Sequence, residues 1–517
     1  MVCVGNLVLI SLFIIGYSAE DNIQTAIVET PSGPVKGIKD TFPETGDTIY
    51  EFRGIRYGQP PIGSLRFKKP EPVGKWTDTY DATKFRAACP QMSFDFLPGF
   101  EKPYMSEDCL VLNVYVPKIL DPSQKLSVMV WIHGGGLVFG HAHQYNGGRI
   151  SVTGNVITVT INYRLGVFGF LALDHPAAKG NYALWDQKLA LQWVHANIAA
   201  FGGNPDSVTI FGESAGGWSV HLQSMIPSNK GLFQKAISQS GVFDFGRTSM
   251  LKQKQLLEYA KDLGNKTACP LDDMFDFVDC LRTKTFDELI TATNLFRSMP
   301  NDQYTIQSRD TPVIDGELFT DNPLRSLDDS QSDVSQFFRS IDFIGGTTSN
   351  EGSLIYMTAP GVQEYFGFNA TESIPLKFIC EGLISPYVKT FLRNDNEARS
   401  KICKFYMVHG SIDDQSLKGS ECLADILIVQ PTIRMLEYHS SMGGNTYQYR
   451  FSKTSPVPFG GPPPSWFKGC GHADELVFLF PGKVLGTEDA ILNADEEGLS
   501  KQMIKYWTSF AKSGYVV

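Results

Sequence analysis

A chain of 517 residues that is 42% apolar, 12% aromatic and 19% charged is long enough to bury a large core. It carries a formal net charge of −10 and no basic run, which argues against nucleic acid as a partner. No internal repeat or low-complexity linker divides it, so length alone does not impose two domains.

The first element is an apolar core of nine residues, Leu7 to Ile15, followed by Gly16-Tyr17-Ser18-Ala19 and then acidic Glu20-Asp21. It is too short to span a bilayer and reads as a signal peptide over residues 1–19. No later stretch is long and apolar enough for a transmembrane helix, so the expected location is secreted, reached through the secretory pathway. Cys3 leaves with this segment. Eight of the nine cysteines remain, and an even number in an exported chain points to disulfides. Asn265-Lys266-Thr267 and Asn369-Ala370-Thr371 are glycosylation sequons in the same context. No metal site and no cofactor is indicated.

Val128-Met129-Val130-Trp131-Ile132 is an apolar strand that ends in His133-Gly134-Gly135-Gly136. A glycine triplet is ordinarily a flexible turn. Off a strand and upstream of a serine motif it can instead offer backbone N–H donors to a developing oxyanion. Gly135 and Gly136, with the amide of Ala215, are the expected three donors.

Val208-Thr209-Ile210-Phe211 is the next informative strand. It runs into Gly212-Glu213-Ser214-Ala215-Gly216 and then into the helix-compatible stretch from Gly217. In a chain with 48 glycines a bare G-x-S-x-G has little weight. The strand-turn-helix context makes Ser214 a candidate nucleophile, lifted clear of a sheet on a tight turn. From about Thr248 to Asp333 the pattern turns helical and charged, and lid-like insertions over the site are expected there.

A serine hydroxyl needs a base, and the base needs an orienting acid. Ile341 to Ile344 reads as a strand and Gly345 to Gly352 as the loop off its end. Glu351 in that loop is the candidate acid, although most of the 55 acidic residues must be surface charges. Nine histidines are present. Of those after Ser214, His221 lies on the same helix pointing elsewhere, and His439 lies on a probable helix. His472 instead sits in the glycine-rich loop Gly469 to Glu475, after the strand Tyr447 to Phe451, and is the candidate base. Asp474 and Glu475 are set aside as the acid, because a residue two or three positions along one loop rarely points back at its neighbour's ring. Strand-like and helix-like runs alternate throughout, which predicts an α/β fold: a mostly parallel twisted central sheet covered by helices.

These motifs resemble those of the type-B carboxylesterases, the carboxylesterase/cholinesterase group of α/β-hydrolases. The likeness runs from about Val28 to about Gly514. It includes Phe52-Arg53-Gly54-Ile55-Arg56-Tyr57 with Pro60-Pro61, and Ser106-Glu107-Asp108-Cys109 through Tyr115. Asn162-Tyr163-Arg164-Leu165-Gly166, Asp186-Gln187, Gly202-Gly203-Asn204-Pro205 and Phe510-Ala511-Lys512-Ser513-Gly514 fit as well. The resemblance implies a single domain over 20–517 and a Ser214–Glu351–His472 triad that hydrolyses small-molecule carboxylic esters through an acyl-enzyme. It also implies disulfides Cys89–Cys109 and Cys269–Cys280, and structural ion pairs Arg53–Glu107 and Arg164–Asp186. Among Cys380, Cys403, Cys422 and Cys470 three pairings stay open, and a disulfide anchoring the base loop through Cys470 is preferred to a nucleophilic thiol.

Cholinesterases carry a choline-stacking tryptophan shortly before the second signature. Here Phe94 to Met105 holds Phe96, Phe100 and Tyr104 but no Trp. Broad ester specificity with little preference for choline is therefore expected, with a lipase or cholesterol-ester hydrolase, or a cholinesterase-like enzyme, as alternatives. The intact serine set weighs against a non-catalytic adhesion relative. Relatives usually continue beyond the Phe-Ala-Lys element, so a fragment, an isoform and a genuinely short form all remain open, as does the oligomeric state.

Overall fold

The computed structural model describes residues 24–43, 45–92, 102–118, 121–243, 253–293, 311–357, 360–480, 482, 484 and 490–517. The apolar segment read as a signal peptide lies outside them, as do Phe96 and Phe100.

Thirteen strands are present among the described residues: β1 Thr25–Thr30, β2 Gly33–Thr41, β3 Thr48–Arg56, β4 Tyr80–Asp81, β5 Val111–Pro117, β6 Leu126–Ile132, β7 Ile157–Ile161, β8 Ala172–His175, β9 Ala178–Lys179, β10 Gly203–Glu213, β11 Lys235–Gln239, β12 Asp342–Thr348 and β13 Thr446–Phe451. The central sheet runs β1-β2-β3-β5-β7-β6-β10-β11-β12-β13, with β4 at the side of β2. From β1 to β7 neighbouring strands in this order are antiparallel. From β7 through β6 to β13 they are parallel.

Parallel strands are buried on both faces and so read as unbroken apolar runs. β6 follows the rule residue by residue. Val128, Val130 and Ile132 enter one apolar cluster, with Val220 of helix Ala215–Ser224 and Leu191 of helix Tyr182–Asn197. Met129 and Trp131 enter the other, beneath Ile504, Trp507 and Phe510 of helix Ala494–Ser513. That last helix is well delimited by sequence. Asn493 and Glu496 form a reciprocal capping box at its start, and Gly514 closes it in the left-handed conformation.

β12 is longer than the sequence suggested. Gly345 to Thr348, expected as loop, continue the strand and pair with β11 and β13. Glycine is used here for space: the Tyr449 ring lies over Gly346 and Leu436 over Gly345. Between β11 and β12 the described residues form helices Gln253–Thr267, Met274–Thr283 and Phe286–Thr293, which bury Phe277, Leu281 and Leu289 in a cluster with Phe168.

Cys89–Cys109 and Cys269–Cys280 are disulfides, and Cys380–Cys403 is a third. Cys422 and Cys470 are buried and unbridged, which corrects the expected disulfide at the base loop. That loop is held by hydrogen bonds instead, as described below. The ion pairs divide. Arg164 and Asp186 meet in a buried two-pronged contact of 2.8 and 2.7 Å. Arg53 instead pairs with Glu51 at 2.7 Å, two residues along the same strand face. Glu107 is taken by Arg66, whose guanidinium also donates to the carbonyls of Leu281, Arg282 and Lys284 at the end of a helix. One arginine satisfying that carboxylate and three carbonyls leaves no role there for Arg53.

Candidate active site

Four loops leave the C-terminal ends of β6, β10, β12 and β13. Because these strands are parallel, all four emerge on one edge of the sheet, where ligands bind in open α/β sheets.

Ser214 stands between β10 and helix Ala215–Ser224 at φ 57°, ψ −124°. A non-glycine residue at positive φ is strained, and such strain persists only when the surroundings enforce it. Here the Ser214 N–H donates to Gln239 O at 2.9 Å, and the Ser214 carbonyl accepts from Trp218 N at 2.9 Å. The turn is tight enough that a Cβ at Gly216 would stand 2.1 Å from Ile132 O, so only glycine fits. Ser214 is half-buried between the buried residues Glu213 and Ala215.

The β6 loop packs directly on this elbow, with Gly134 against Glu213 and the Ser214 Cβ. Gly135 (φ 109°) and Gly136 (φ 61°) are in conformations that favour glycine, and a Cβ at Gly135 would lie 2.1 Å from Phe139 O. The Gly135 carbonyl accepts from Val138 and Phe139, both at 3.0 Å. Ala215 is the first residue of its helix, where backbone N–H groups have no partner within the helix.

His472 is buried. Its Nδ1 lies 2.7 Å from Glu351 Oε2, and its Nε2 lies 3.1 Å from Oε1 of Glu213, the residue before Ser214. The other oxygen of Glu351 accepts from Thr348 N at 2.6 Å. Asp474 turns away from the imidazole to accept from Phe459 N and Gly471 N, and Glu475 accepts from Gln239 Nε2 at 3.1 Å.

The loops bearing Glu351 and His472 are stitched together. Ser349 Oγ accepts from Cys470 N and Ser353 Oγ accepts from His472 N, both at 2.8 Å. Asn350 N donates to Cys470 O and Asn350 Nδ2 donates to Lys468 O, both at 2.9 Å. Sequence reasoning missed these three supports. The signal was the polar run Thr347-Thr348-Ser349-Asn350 around the candidate acid, with Ser353 just beyond it.

Reading from the sequence also missed a cluster of buried carboxyls. Burial pushes Glu213 well above the usual carboxyl range; His472 opposes this, and Glu475 and Glu351 reinforce it. Burial, with the nearby charge of Glu351, pushes Glu475 up to about 7. Burial alone would lower His472, but Glu213, the hydrogen bond to Glu351 and the charges of Glu351 and Glu475 outweigh it and raise it to about 9. Glu213 Oε1 and the imidazole Nε2 lie 3.1 Å apart, so the two groups titrate as a pair. Cys470 is a poor nucleophile here: burial, with the charges of Asp474 and Glu475, holds its thiol far above the ordinary range.

Tyr104 is 81% exposed, and so does not line a closed pocket. Asn265 and Asn369 are both exposed. No helix among the described residues is long and apolar enough to cross a membrane.

A model of the carboxylesterase family matches residues 24–515. The chain is 36% identical over 499 residues to the bile salt-activated lipase of Bos taurus, covering 94% of this chain and 79% of the relative. It is 35% identical over 506 residues to the cholinesterase of Mus musculus, covering 95% and 79%. It is 33% identical over 536 residues to carboxylesterase 1E of Mus musculus, covering 99% and 90%.

Proposed function

The chain belongs to the carboxylesterase family and is a carboxylic ester hydrolase, and on that premise we propose that it works through a Ser214–Glu351–His472 triad and an acyl-enzyme. The observation that carries the reading is the double contact of one buried imidazole, Nδ1 on Glu351 and Nε2 beside the serine elbow. With Nδ1–H donating to Glu351, Nε2 presents a lone pair. Ser214 Oγ attacks the ester carbon as its proton passes to Nε2. The carbonyl oxygen becomes an oxyanion, received by the amides of Gly135, Gly136 and Ala215. The imidazolium then protonates the departing alcohol. Water, deprotonated by the same nitrogen, releases the acid and restores Ser214.

The proposal extends to one domain over 20–517 behind a signal peptide over 1–19, secreted and glycosylated at Asn265 and Asn369. The family match over 24–515, three disulfides and two exposed sequons support it. The substrates are uncharged aryl and alkyl esters, bound through apolar burial at about 25 cal/mol per Å². Likeness to a bile salt-activated lipase supports a second reading, long-chain lipid esters.

A turnover panel of short aryl esters, long-chain lipid esters and choline esters tests this. Choline esters are expected to have no advantage in kcat/KM over uncharged esters of equal size, since the choline-stacking Trp is missing. A large choline preference, lost on mutating Phe96, Phe100 or Tyr104, would overturn the specificity.

The carboxyl cluster sets the pH response. The base works deprotonated, and an ionised Glu213 raises its pKa. Glu213→Gln removes that charge, so the His472 pKa falls and the acid limb of the kcat/KM profile moves to lower pH. An unmoved limb would mean that Glu213 is neutral in the free enzyme.

A further inference from the structure

We propose that Gln91 is a positioning residue for the oxyanion loop, through which the backbone beside the Cys89–Cys109 disulfide holds the Gly134–Gly136 backbone in register with Ser214. This rests on the reading of Gly135 and Gly136 as oxyanion donors.

Gln91 lies two residues after Cys89 and is buried. Its side-chain amide grips both backbone groups of Gly140. Oε1 accepts from Gly140 N at 2.9 Å, and Nε2 donates to Gly140 O at 3.1 Å. The second Nε2 hydrogen donates to Cys89 O at 3.0 Å, tying the grip to the disulfide. The next residue adds a third bond across the gap, Met92 N to Val138 O at 3.2 Å.

What is gripped is the far end of the oxyanion turn. Gly140 is packed so closely that a Cβ there would be 2.5 Å from His133 Nδ1 and 2.6 Å from Gly134 O. Val138 and Phe139 in turn both donate to the Gly135 carbonyl. A shift at 138–140 therefore moves Gly134 and Gly135 with it. The opposite flank is fixed by the end of β7. Asn162 Oδ1 accepts from Ala142 N at 2.8 Å, while Asn162 Nδ2 donates to Ala87 O and Cys109 O. Gly166 N donates to Leu137 O at 2.8 Å.

A carboxamide presents a donor and an acceptor side by side, here to the N–H and C=O of one residue, and an ionised carboxylate or an alkyl chain cannot. Glutamate would keep the bond from Gly140 N but set an oxygen against Gly140 O. Leucine would lose every bond. An oxyanion donor misplaced by about 1 Å costs on the order of a hundredfold in rate.

The test compares Gln91→Leu and Gln91→Glu with wild type, using a short aryl ester and an aryl trifluoromethyl ketone. The ketone adds Ser214 Oγ to its carbonyl carbon and leaves an oxyanion in the same hole. For both variants kcat is expected to fall about 10- to 100-fold with KM within about threefold, and the ketone Ki to rise by the same factor as kcat falls. A purely structural role would lower Tm while leaving kcat and Ki unchanged, and that result overturns the proposal. If Gln91→Leu does not fold, the isosteric Gln91→Glu decides; if neither folds, the role is structural and the proposal fails. Gly135→Val separates the two levels. Near-normal turnover in that variant refutes the oxyanion reading itself. An inactive Gly135→Val beside fully active Gln91 variants refutes only the role of Gln91.

Discussion

Ser214→Ala is expected to lower kcat on the order of a million-fold while leaving far-UV circular dichroism and Tm nearly unchanged. The reason is local. Alanine keeps the Cβ of serine, so the strained φ of 57° and the two backbone hydrogen bonds that hold the elbow are unaltered. Only the nucleophilic oxygen is gone. Labelling the wild-type protein with an organophosphate and mapping the adduct by peptide mass spectrometry checks the same assignment. An adduct on any other residue, or substantial turnover in the variant, would sink it.

Glu351→Gln is expected to cost about ten-thousand-fold in kcat, as for the corresponding Asp→Asn change in a serine-protease triad. The two oxygens of Glu351 both accept, one from Thr348 N at 2.6 Å and one from His472 Nδ1 at 2.7 Å. A glutamine has a single side-chain oxygen. If it stays on the Thr348 amide, its NH₂ group faces Nδ1 and forces the imidazole proton onto Nε2, where the base must be empty. The control is Asp474→Asn, since Asp474 serves the backbone of its own loop. A damaging Asp474→Asn beside a nearly silent Glu351→Gln would refute the triad. A Glu351→Gln whose main change is an acid limb moved to lower pH, with kcat on the plateau nearly kept, would point to a charge effect rather than a tautomer effect.

How much of this was legible in the chain depended on whether the information was local. The elbow was legible because strand, tight turn and helix are adjacent in sequence, and so was the glycine loop off β6. His472 could be chosen among nine histidines because its loop follows a strand. Glu351 was named from a loop whose first four residues, Gly345 to Thr348, turned out to be strand. Nothing near them in sequence announces that Tyr449 and Leu436 cover them.

The sequence by itself determined the α/β class, the order in which Ser214, Glu351 and His472 occur, and the glycines without which the turns cannot close. Those follow from backbone sterics and from apolar periodicity, which act over a few residues. Only the tertiary structure decided which partners meet. It gave Glu107 to Arg66 rather than Arg53, left Cys470 unbridged, gathered Glu213 and Glu475 around the imidazole, and set Gln91 on Gly140 across 49 residues of chain. Hydrogen bonds, ion pairs and shared protons form between groups that packing brings within about 3 Å, and distance along the chain carries no record of that.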